Sequence, residues 1–347
     1  MTPAGQALAH RRPEGPAPVA DAPAGYRPRG AVRLMVADAA TGRVTHGAFE
    51  DVVRVLRPGD ALVINVSATV PAAVDGVGPV GPVRLHVSSP VAGDVWTVEP
   101  RRAEGVGSRP WRDFPGGRVA LPGGASAAFL ARDSRSPRLW LVALDGVGDV
   151  LGYLRRHGQP IRYSHEGRAR PLGAYQIVYA SEPGSAEMPS AGRPFTARLV
   201  TRLAARGVVF APVVLHCGVA SFEAGERPDV ERYEVSETTA RLVNQARAAG
   251  RRVVAVGTTS ARAIETVTDS DGVAHPGKGT TDLLITPERG VRALSGLLTG
   301  WHEAGASHVA LVEAVAGREL VARCYEEARR RGYLWHEFGD ALLVLTA

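Results

Sequence analysis

One run constrains the fold of this chain more than any other stretch. It extends from residue 251 to residue 262 and reads Arg-Arg-Val-Val-Ala-Val-Gly-Thr-Thr-Ser-Ala-Arg. Its β-branched apolar block, 253–256, predicts a buried strand that Gly257 interrupts. Thr258-Thr259 then suit the N-terminus of a helix. A strand that turns at glycine into a helix directs free backbone N–H groups toward one point, so this corner and Arg262 predict a site for a carboxylate or a phosphate. The same residues would also fit a corner that binds no ligand.

Hydrophobic patterning divides the chain into three parts. Residues 1–30 are rich in Pro, Ala, Gly and Arg without periodicity, which predicts a loose N-terminal arm. Residues 72–145 contain short alternating runs separated by Gly and Pro turns, a pattern typical of a small β-barrel. Residues 31–71 and 146–347 alternate between strand and helix patterns. They predict an α/β domain with a mainly parallel sheet, into which the barrel is inserted.

Individual elements of the α/β part follow from the same patterns. Strands are expected at 32–37, 60–65, 208–215, 253–256, 283–285 and 341–345, and helices at 49–56, 195–207, 236–249 and 320–328. Loops with small residues, hydroxyls and a lone His or Phe lie next to several of these elements, at 65–69, 189–196, 216–222 and 299–302. Because loops at the carboxyl ends of parallel strands converge, we expect these loops to form one ligand-binding crevice.

The charge of the chain favours an acidic partner. Its 347 residues, 45% of them hydrophobic, suffice for a full core and two domains. The formal net charge of +6 and the pI of about 9.7 favour a polyanion or an acidic substrate. Lys278 is the only lysine, so an arginine-rich composition could give the same charge without any nucleic acid.

Cysteines and histidines do not form a recognisable metal motif. Cys217 and Cys324 are too few for a disulfide framework or a four-thiolate zinc site, which fits a reducing cytoplasm. His302 and His308 resemble the two ligands of a zinc-protease helix, but their spacing is two residues too long and Gly305 weakens the helix. We therefore expect no metal. With no apolar run of transmembrane length and no signal-peptide pattern, we expect a cytoplasmic protein without a membrane partner.

The run from Gly272 to Lys278 imitates the start of a phosphate-binding loop. Gly279 stands where such a loop requires Ser or Thr, and no strand pattern leads into it. We therefore predict a flexible loop there.

Six motifs occur in an order that resembles one known family. They are Arg57-Pro58-Gly59-Asp60 with Asn65, Pro189-Ser190-Ala191-Gly192 with Phe195-Thr196, Leu215-His216-Cys217-Gly218 with Ser221-Phe222, Glu231-Arg232-Tyr233-Glu234-Val235, Gly257-Thr258-Thr259-Ser260 with Arg262, and Phe338-Gly339-Asp340-Ala341. The ordered set, from about Val32 to the C-terminus, resembles the S-adenosylmethionine:tRNA ribosyltransferase-isomerase family of queuosine biosynthesis. The resemblance implies an α/β domain with an inserted β-barrel, S-adenosylmethionine as co-substrate without a metal, and tRNA as partner.

The resemblance also implies a reaction. The ribosyl part of S-adenosylmethionine is moved onto the aminomethyl group of 7-aminomethyl-7-deazaguanine at the wobble position of tRNA. The ribose is rearranged to an epoxycyclopentane, giving epoxyqueuosine, while adenine and methionine leave. Such chemistry needs a base beside the sulfonium, a donor that helps adenine leave, and close positioning of both substrates.

Candidate site residues follow from the matching motifs. Glu231 and His216 are the candidate bases and His302 the candidate donor to adenine, although each histidine could equally serve a structural role and Glu231 could equally be a solvated charge. Expected cofactor-binding residues are Gly257, Thr258, Thr259, Arg262, Ser190, Ala191, Gly192, Phe195 and Thr196. Expected substrate-binding residues are Asn65, Gly218, Ser221, Phe222 and Tyr233. Whether Arg262 would bind the methionine carboxylate or a tRNA phosphate is open.

Several crevice loops depart from the family pattern. Asn65 is followed by Val66-Ser67-Ala68 where the family has Asp-Thr-Arg, and Pro194 stands where the family has a histidine. Two alternatives to the family reaction therefore stay open: an S-adenosylmethionine-dependent transferase that acts on a small acceptor, and a non-catalytic RNA-binding homologue. We expect a monomer in either case.

Overall fold

A nine-stranded sheet forms the centre of the protein. The structure, a computed structural model, describes residues 25–163, 166–219, 228–303 and 306–346. With strands numbered along the chain, the sheet contains β1 (Arg33–Asp38), β2 (Val44–Ala48), β3 (Ala61–Asn65), β13 (Val209–Leu215), β14 (Glu231–Val235), β15 (Val253–Val256), β16 (Gly277–Thr281), β17 (Gly296–Thr299) and β18 (Ala341–Leu345). Their order across the sheet is β16-β14-β13-β3-β15-β17-β18-β1-β2.

The sheet is mixed, so the prediction of a mainly parallel sheet is not met. The central strands β13, β3, β15 and β17 run parallel to one another. Strand β18 is antiparallel to β17, and β2, β14 and β16 add antiparallel pairs at the two edges. A continuous apolar run predicts a buried strand but does not indicate whether the neighbouring strand is parallel or antiparallel to it.

Helices pack on both faces of the sheet and on the smaller second sheet. The described helices are α1 (Val52–Val55), α2 (Val150–His157), α3 (Ala197–Ala205), α4 (Glu237–Ala248), α5 (Thr258–Thr266), α6 (Ser307–Ala316) and α7 (Arg318–Arg330), of which α2 packs on the second sheet. On one face, apolar residues of α4 to α7 pack against the sheet, and on the other face α1 and α3 do. The N-terminus of α4 is capped by Ser236, whose hydroxyl accepts from the Thr239 N–H at 3.1 Å. None of the helices in these ranges is long and apolar enough to cross a membrane.

A second, smaller sheet closes into a β-barrel. Its strands are β5 (Ala73–Gly78), β6 (Gly81–Ala92), β7 (Val95–Glu104), β8 (Gly107–Pro110), β9 (Gly117–Ala120), β10 (Ser126–Arg132) and β11 (Trp140–Asp145). Strand β11 pairs with both β10 and β7, which closes a ring of six strands. Strand β8 pairs with the end of β7 and is not part of the ring. The barrel predicted from the alternating runs is therefore present. The exact domain boundaries at 71/72 and 145/146 stay a prediction.

The barrel and the central sheet meet at a close backbone approach. A short parallel pair, β4 (Ser67–Thr69) and β12 (Glu182–Ser185), lies beside the end of β3. The Val219 N–H donates to the Ser88 hydroxyl of the barrel at 2.9 Å. A Cβ atom on Gly218 would lie only 2.7 Å from that hydroxyl oxygen. A side chain at 218 would therefore displace the Ser88 hydroxyl from the Val219 N–H, which it now contacts.

Two predicted elements are wrong. Residues 283–285, predicted as a strand, have no regular structure, and the segment from 277 to 281, placed in and just after a predicted flexible loop, is strand β16. The two errors have different causes. Edge strands need few apolar residues, because one side of the strand and part of its faces are exposed. An apolar triplet, in contrast, also suits a cavity wall.

The described part of the predicted loose arm is docked on the C-terminal region. The ring of Tyr26 packs against that of Phe338, with 5.5 Å between centroids. The Arg27 N–H donates to the Phe338 carbonyl at 2.8 Å, and the Arg27 guanidinium pairs with Asp340. Residues 25–30 are thus part of the folded body, while residues 1–24 of the predicted arm lie outside the described residues.

Candidate active site

A cavity of about 310 Å³ lies at the carboxyl ends of three parallel strands, β13, β15 and β17. Its walls include Cys217 after β13, the 257–259 turn after β15, and residues 299–303 after β17. The convergence of strand ends thus produces a crevice with residues from three of the four predicted loops, 189–196, 216–222 and 299–302, whereas residues 65–69 do not line it. A volume of this size is that of a small-molecule site.

The N-terminus of α5 forms one wall of this cavity. Gly257 precedes the helix with a φ of +91°, a conformation that glycine adopts without strain. A Cβ atom at this position would lie 3.3 Å from the Cβ of Ala191, which also lines the cavity. The first N–H groups of a helix have no partner within the helix, and the helix dipole is positive there. This wall would therefore suit an anionic group, and the anion site itself stays a prediction.

Arg262 lines the cavity, but its guanidinium is already bound within the protein. It forms a buried salt bridge with Glu231 and donates to the carbonyls of Leu283 at 3.0 Å, Thr281 at 3.1 Å and Asp229 at 3.2 Å. The Gly218 N–H donates to the other carboxylate oxygen of Glu231 at 2.8 Å. Arg262 therefore orders the residues around the base candidate. Its role as an anion ligand stays a prediction.

Two stacked histidines form another wall. The imidazole rings of His302 and His308 lie 4.4 Å apart, with 10° between their planes. Burial, reinforced by His308, lowers the pKa of His302 well below its usual value, and burial lowers the pKa of His308 to about 4. Both rings are therefore neutral at pH 7. His302 can donate or accept a hydrogen bond through Nε2, which lies 3.1 Å from the Thr299 hydroxyl, but it carries no charge.

Trp301 adds an unsatisfied donor to the same wall. Its side chain is 1% exposed, packs 5.1 Å from the ring of Tyr325, and lines the cavity. Within the described ranges, its indole N–H has no hydrogen-bond partner. Since a buried indole N–H normally finds a partner, this group is available to a ligand.

His216, the other predicted base, does not line the cavity. Its Nδ1 lies 2.8 Å from the Ser67 hydroxyl, which in turn lies 2.6 Å from the Ser185 hydroxyl. Burial lowers the pKa of His216 to about 4, with a smaller contribution from Arg232. The arrangement is that of a structural histidine at the junction of β4, β12 and β13.

Other predicted residues also have structural partners outside the cavity. The amide of Asn65 donates to the Leu215 carbonyl at 2.8 Å and accepts from the Leu215 N–H at 3.0 Å. Phe195 is fully buried against Phe49, and Thr196 caps α3. The predicted residues that line the cavity are Glu231, His302, Gly257, Thr258, Thr259, Arg262, Ser190 and Ala191. Those that do not are His216, Gly192, Phe195, Thr196, Asn65, Gly218 and Tyr233, while Ser221 and Phe222 lie outside the described residues.

Sequence reasoning missed several residues of the cavity wall. They include Tyr163, Glu187, Trp301, His308, His336 and Glu337. The Tyr163 hydroxyl donates to a carboxylate oxygen of Glu187. His308 was visible in the sequence only as part of a rejected metal motif, and Tyr163 lies in a segment without periodicity. Only the tertiary fold brings these residues together.

Comparisons with known proteins find relatives that match nearly the whole chain. The model of the family described as "Queuosine biosynthesis protein" matches residues 16–344. A protein from Symbiobacterium thermophilum named S-adenosylmethionine:tRNA ribosyltransferase-isomerase is 38% identical over 92% of this chain and 94% of its own length. One with the same name from Anaeromyxobacter dehalogenans is 37% identical over 94% and 95%.

A solved structure shows the same relationship. The crystal structure of an S-adenosylmethionine tRNA ribosyltransferase from Thermotoga maritima superposes with a TM-score of 0.51 and 28% identity, covering 93% of this chain and 96% of that one. The class defined by fold and cavity is thus an α/β protein with an inserted barrel and a small-molecule site at the strand ends. The chain belongs to the queuosine biosynthesis protein family of S-adenosylmethionine:tRNA ribosyltransferase-isomerases, which confirms the resemblance inferred from the motifs.

Proposed function

We propose that this protein transfers the ribosyl moiety of S-adenosylmethionine to 7-aminomethyl-7-deazaguanine in tRNA and isomerises it, giving epoxyqueuosine. The observation that carries the proposal is the charge of the cavity. Among the described residues, its lining contains four carboxylates, from Glu187, Glu231, Glu303 and Glu337, and one guanidinium, that of Arg262. Because Glu231 binds that guanidinium and the lining residues His302 and His308 are neutral, acidic side chains outnumber basic ones in the described lining, a composition that suits a cationic ligand.

Both proposed substrates carry such cations. S-adenosylmethionine has a sulfonium and an ammonium group, and the acceptor has an aminomethyl group that is protonated in water. The positive end of the α5 dipole at the 257–259 turn suits the methionine carboxylate of the same co-substrate. A protein with a net charge of +6 and a cavity lined by several carboxylates is thus suited to an RNA that presents a cationic base.

The remaining wall suits adenine. A purine can stack on the neutral imidazole pair of His302 and His308, and the indole N–H of Trp301 offers a hydrogen bond to a ring nitrogen or a ribose oxygen. His302 acts there as a hydrogen-bond donor rather than as a charged acid. Glu231 is the predicted base that lines the cavity, and its carboxylate is fixed by Arg262 and the Gly218 N–H. It would take the proton beside the sulfonium.

The test is the release of adenine from S-adenosylmethionine. The purified protein is incubated with tRNA that carries 7-aminomethyl-7-deazaguanine, with the matching tRNA that carries guanine, and with the free modified nucleobase. Release only with the modified tRNA is expected, together with a steep loss of RNA affinity as salt increases. Adenine release with the free base alone would show that the acceptor is a small molecule rather than tRNA. Binding of RNA without adenine release in any of the three incubations would identify a non-catalytic homologue. The reaction with tRNA would take place in the cytoplasm.

A further inference from the structure

Four arginines lie close together around the first described residues of the chain. The Arg193 guanidinium donates to the Arg27 carbonyl at 2.7 Å, and the Arg29 guanidinium donates to the Arg193 carbonyl at 2.5 Å. The guanidinium carbons of Arg170 and Arg193 lie 4.5 Å and 5.0 Å from the centre of the Tyr26 ring. These four arginines and Tyr26 therefore form one cluster, which we call the arginine cluster.

The arginine cluster has more positive than negative charge among the described residues. Two of its arginines pair with carboxylates, Arg27 with Asp340 at 3.2 Å and the other, Arg170, at 3.5 Å. In the same part of the chain, the guanidiniums of Arg29 and Arg193 donate to backbone carbonyls. Burial lowers the pKa of Arg193 to about 10, and the guanidiniums of Arg29 and Arg170 act in the same direction. Arg193 is still charged at pH 7, so the cluster attracts anions.

An exposed aromatic ring belongs to the same cluster. Tyr26 is 47% exposed, whereas Arg193 is 2% exposed. The ring of Phe338 lies 5.5 Å from the ring of Tyr26, and the guanidinium carbons of Arg170 and Arg193 lie 4.6 Å and 4.7 Å from its centre. These contacts hold Tyr26 at the surface. Unpaired bases of RNA stack on exposed aromatic rings, and neighbouring arginines bind the phosphates of the same strand.

The arginine cluster lies next to the cavity. Phe338 directly follows residues 336–337, which line the cavity, and Arg193 follows residues 190–191, which also line it. Met188 lines the cavity and packs in one small apolar cluster with Phe338. A nucleotide that contacts Tyr26 would therefore be a close neighbour of a base bound in the cavity.

We propose that the arginine cluster binds single-stranded RNA, in such a way that a nucleotide next to the modified base stacks on Tyr26 and its phosphate binds Arg29. The inference rests on the proposed function, which brings tRNA to the cavity. Arg29 is half-buried, and its guanidinium has five N–H donors, of which two contact carbonyls of the protein. The more deeply buried Arg170 and Arg193 support the ring and add positive charge.

Single-stranded RNA is the class of ligand that this arrangement fits. A base in a duplex already stacks on its neighbours, so an isolated tyrosine ring offers it little. An acidic peptide could pair with Arg29, but it has no flat ring to stack on Tyr26. Stacking and phosphate binding together are what unpaired nucleotides require.

The stacking part is tested with Tyr26→Leu, which keeps an apolar side chain against Phe338 but removes the ring. The measurement is the Kd for tRNA that carries 7-aminomethyl-7-deazaguanine. We expect the Kd to rise roughly 5–150-fold, the range for one stacked base. Tyr26→Phe keeps the ring and should retain most of the affinity. The kcat at saturating tRNA and the affinity for S-adenosylmethionine should stay within about twofold, because only RNA binding is affected.

The phosphate part is tested with Arg29→Gln, through the slope of log K for the same tRNA against log salt concentration. Loss of one phosphate contact should reduce the magnitude of this slope by about 0.7. Arg318→Gln is the matched control, because Arg318 is an exposed arginine that pairs with Glu288 and does not line the cavity. Its slope should equal that of the wild type. A purely structural role of Arg29 would lower the free energy of unfolding and leave the slope unchanged.

The outcomes separate this inference from the proposed function. An unchanged Kd in Tyr26→Leu, or an unchanged slope in Arg29→Gln, would overturn the inference while adenine release by the wild type still supports the proposed function. If Tyr26→Leu does not fold, the slope of Arg29→Gln decides. A wild type that releases no adenine but binds tRNA, with binding weakened in both variants, would support this surface and reject the proposed reaction. A wild type that binds no tRNA would reject both.

Discussion

The carboxylate of Glu231 and the guanidinium of Arg262 form a buried salt bridge at the base of the cavity. The pair joins β14 to α5, and its two residues are 31 positions apart in the chain. Arg262 also donates to three backbone carbonyls around it. One side chain therefore fixes a candidate base and part of the cavity wall at the same time.

Loss of Arg262 should destabilise the fold. Arg262→Ala would leave Glu231 buried without its counter-ion, which costs about 3–5 kcal/mol for a buried pair. The measurement is the free energy of unfolding in urea. Arg318→Ala is the matched control, because Arg318 is exposed and pairs with Glu288 at the surface, where about 0–1 kcal/mol is expected. Equal stability of the two variants would show that the buried pair contributes no more than the surface one.

Asp340 should hold the N-terminal segment on the body of the protein. Its carboxylate accepts from the Arg33 N–H at 2.8 Å, the Leu334 N–H at 2.9 Å and the Arg27 guanidinium at 3.2 Å. Asp340→Ala leaves these donors without their acceptor, so we expect a loss of roughly 2–4 kcal/mol in unfolding free energy. Hydrogen exchange at the Arg33 and Leu334 amides should accelerate as well. Asp340→Asn keeps one acceptor oxygen, so it should lose less unfolding free energy than Asp340→Ala. Identical hydrogen exchange in the two variants would contradict the proposal that Asp340 holds the N-terminal segment.

Stability should depend on pH through Asp229. Burial, and next the neighbouring Glu231, raise the pKa of the Asp229 carboxyl to about 7, and one of its oxygens has no hydrogen-bond partner among the described residues. Between about pH 4 and pH 7 the folded state therefore binds more protons than the unfolded state. The contribution of Asp229 to stability is highest below pH 4 and falls until about pH 7.

The check is Asp229→Asn, which stays neutral at every pH. We expect it to be more stable than the wild type at pH 8 by roughly 2–4 kcal/mol, with the difference disappearing toward pH 4. Unfolding in urea at both pH values measures this. A stability difference that does not change with pH would mean that Asp229 ionises in the folded protein as it does in the unfolded chain.

Adenine release should show no inflection near pH 6.5 from His302 and His308. The pKa of His308 is lowered to about 4 and that of His302 lies well below its usual value, so neither ring gains a proton near pH 6.5. His308→Gln removes the stacked ring, and kcat/KM should fall about 2–12-fold with the same pH profile, as expected for loss of 0.5–1.5 kcal/mol of stacking. His275→Gln, at an exposed pair with Asp269, is the control. An inflection near pH 6.5 that disappears in His308→Gln would show that the ring titrates.

Several family motifs have structural partners rather than positions in the cavity. Asp60 of the Arg57-Pro58-Gly59-Asp60 run accepts from the Arg57 N–H at 2.8 Å and the Arg252 guanidinium at 3.0 Å, which joins the starts of β3 and β15. Asp340 of the Phe-Gly-Asp-Ala run anchors the first described residues. Such motifs identify the family because the fold requires them, but they do not by themselves reveal which side chain touches the substrate.

The sequence by itself determined the buried strands, the glycine turn before α5 and the barrel, because apolar periodicity and turn residues act over a few positions. It also predicted that the 257–259 turn faces a ligand site. The direction of the edge strands, the partner of Arg262 and the positions of Tyr163 and Glu187 were decided only by the tertiary structure. Each depends on contacts between residues far apart in the chain: Arg101 of the barrel reaches Tyr163, and Tyr163 in turn reaches Glu187. Local sequence patterns do not specify such contacts, so this wall of the cavity forms only when the barrel packs against the sheet.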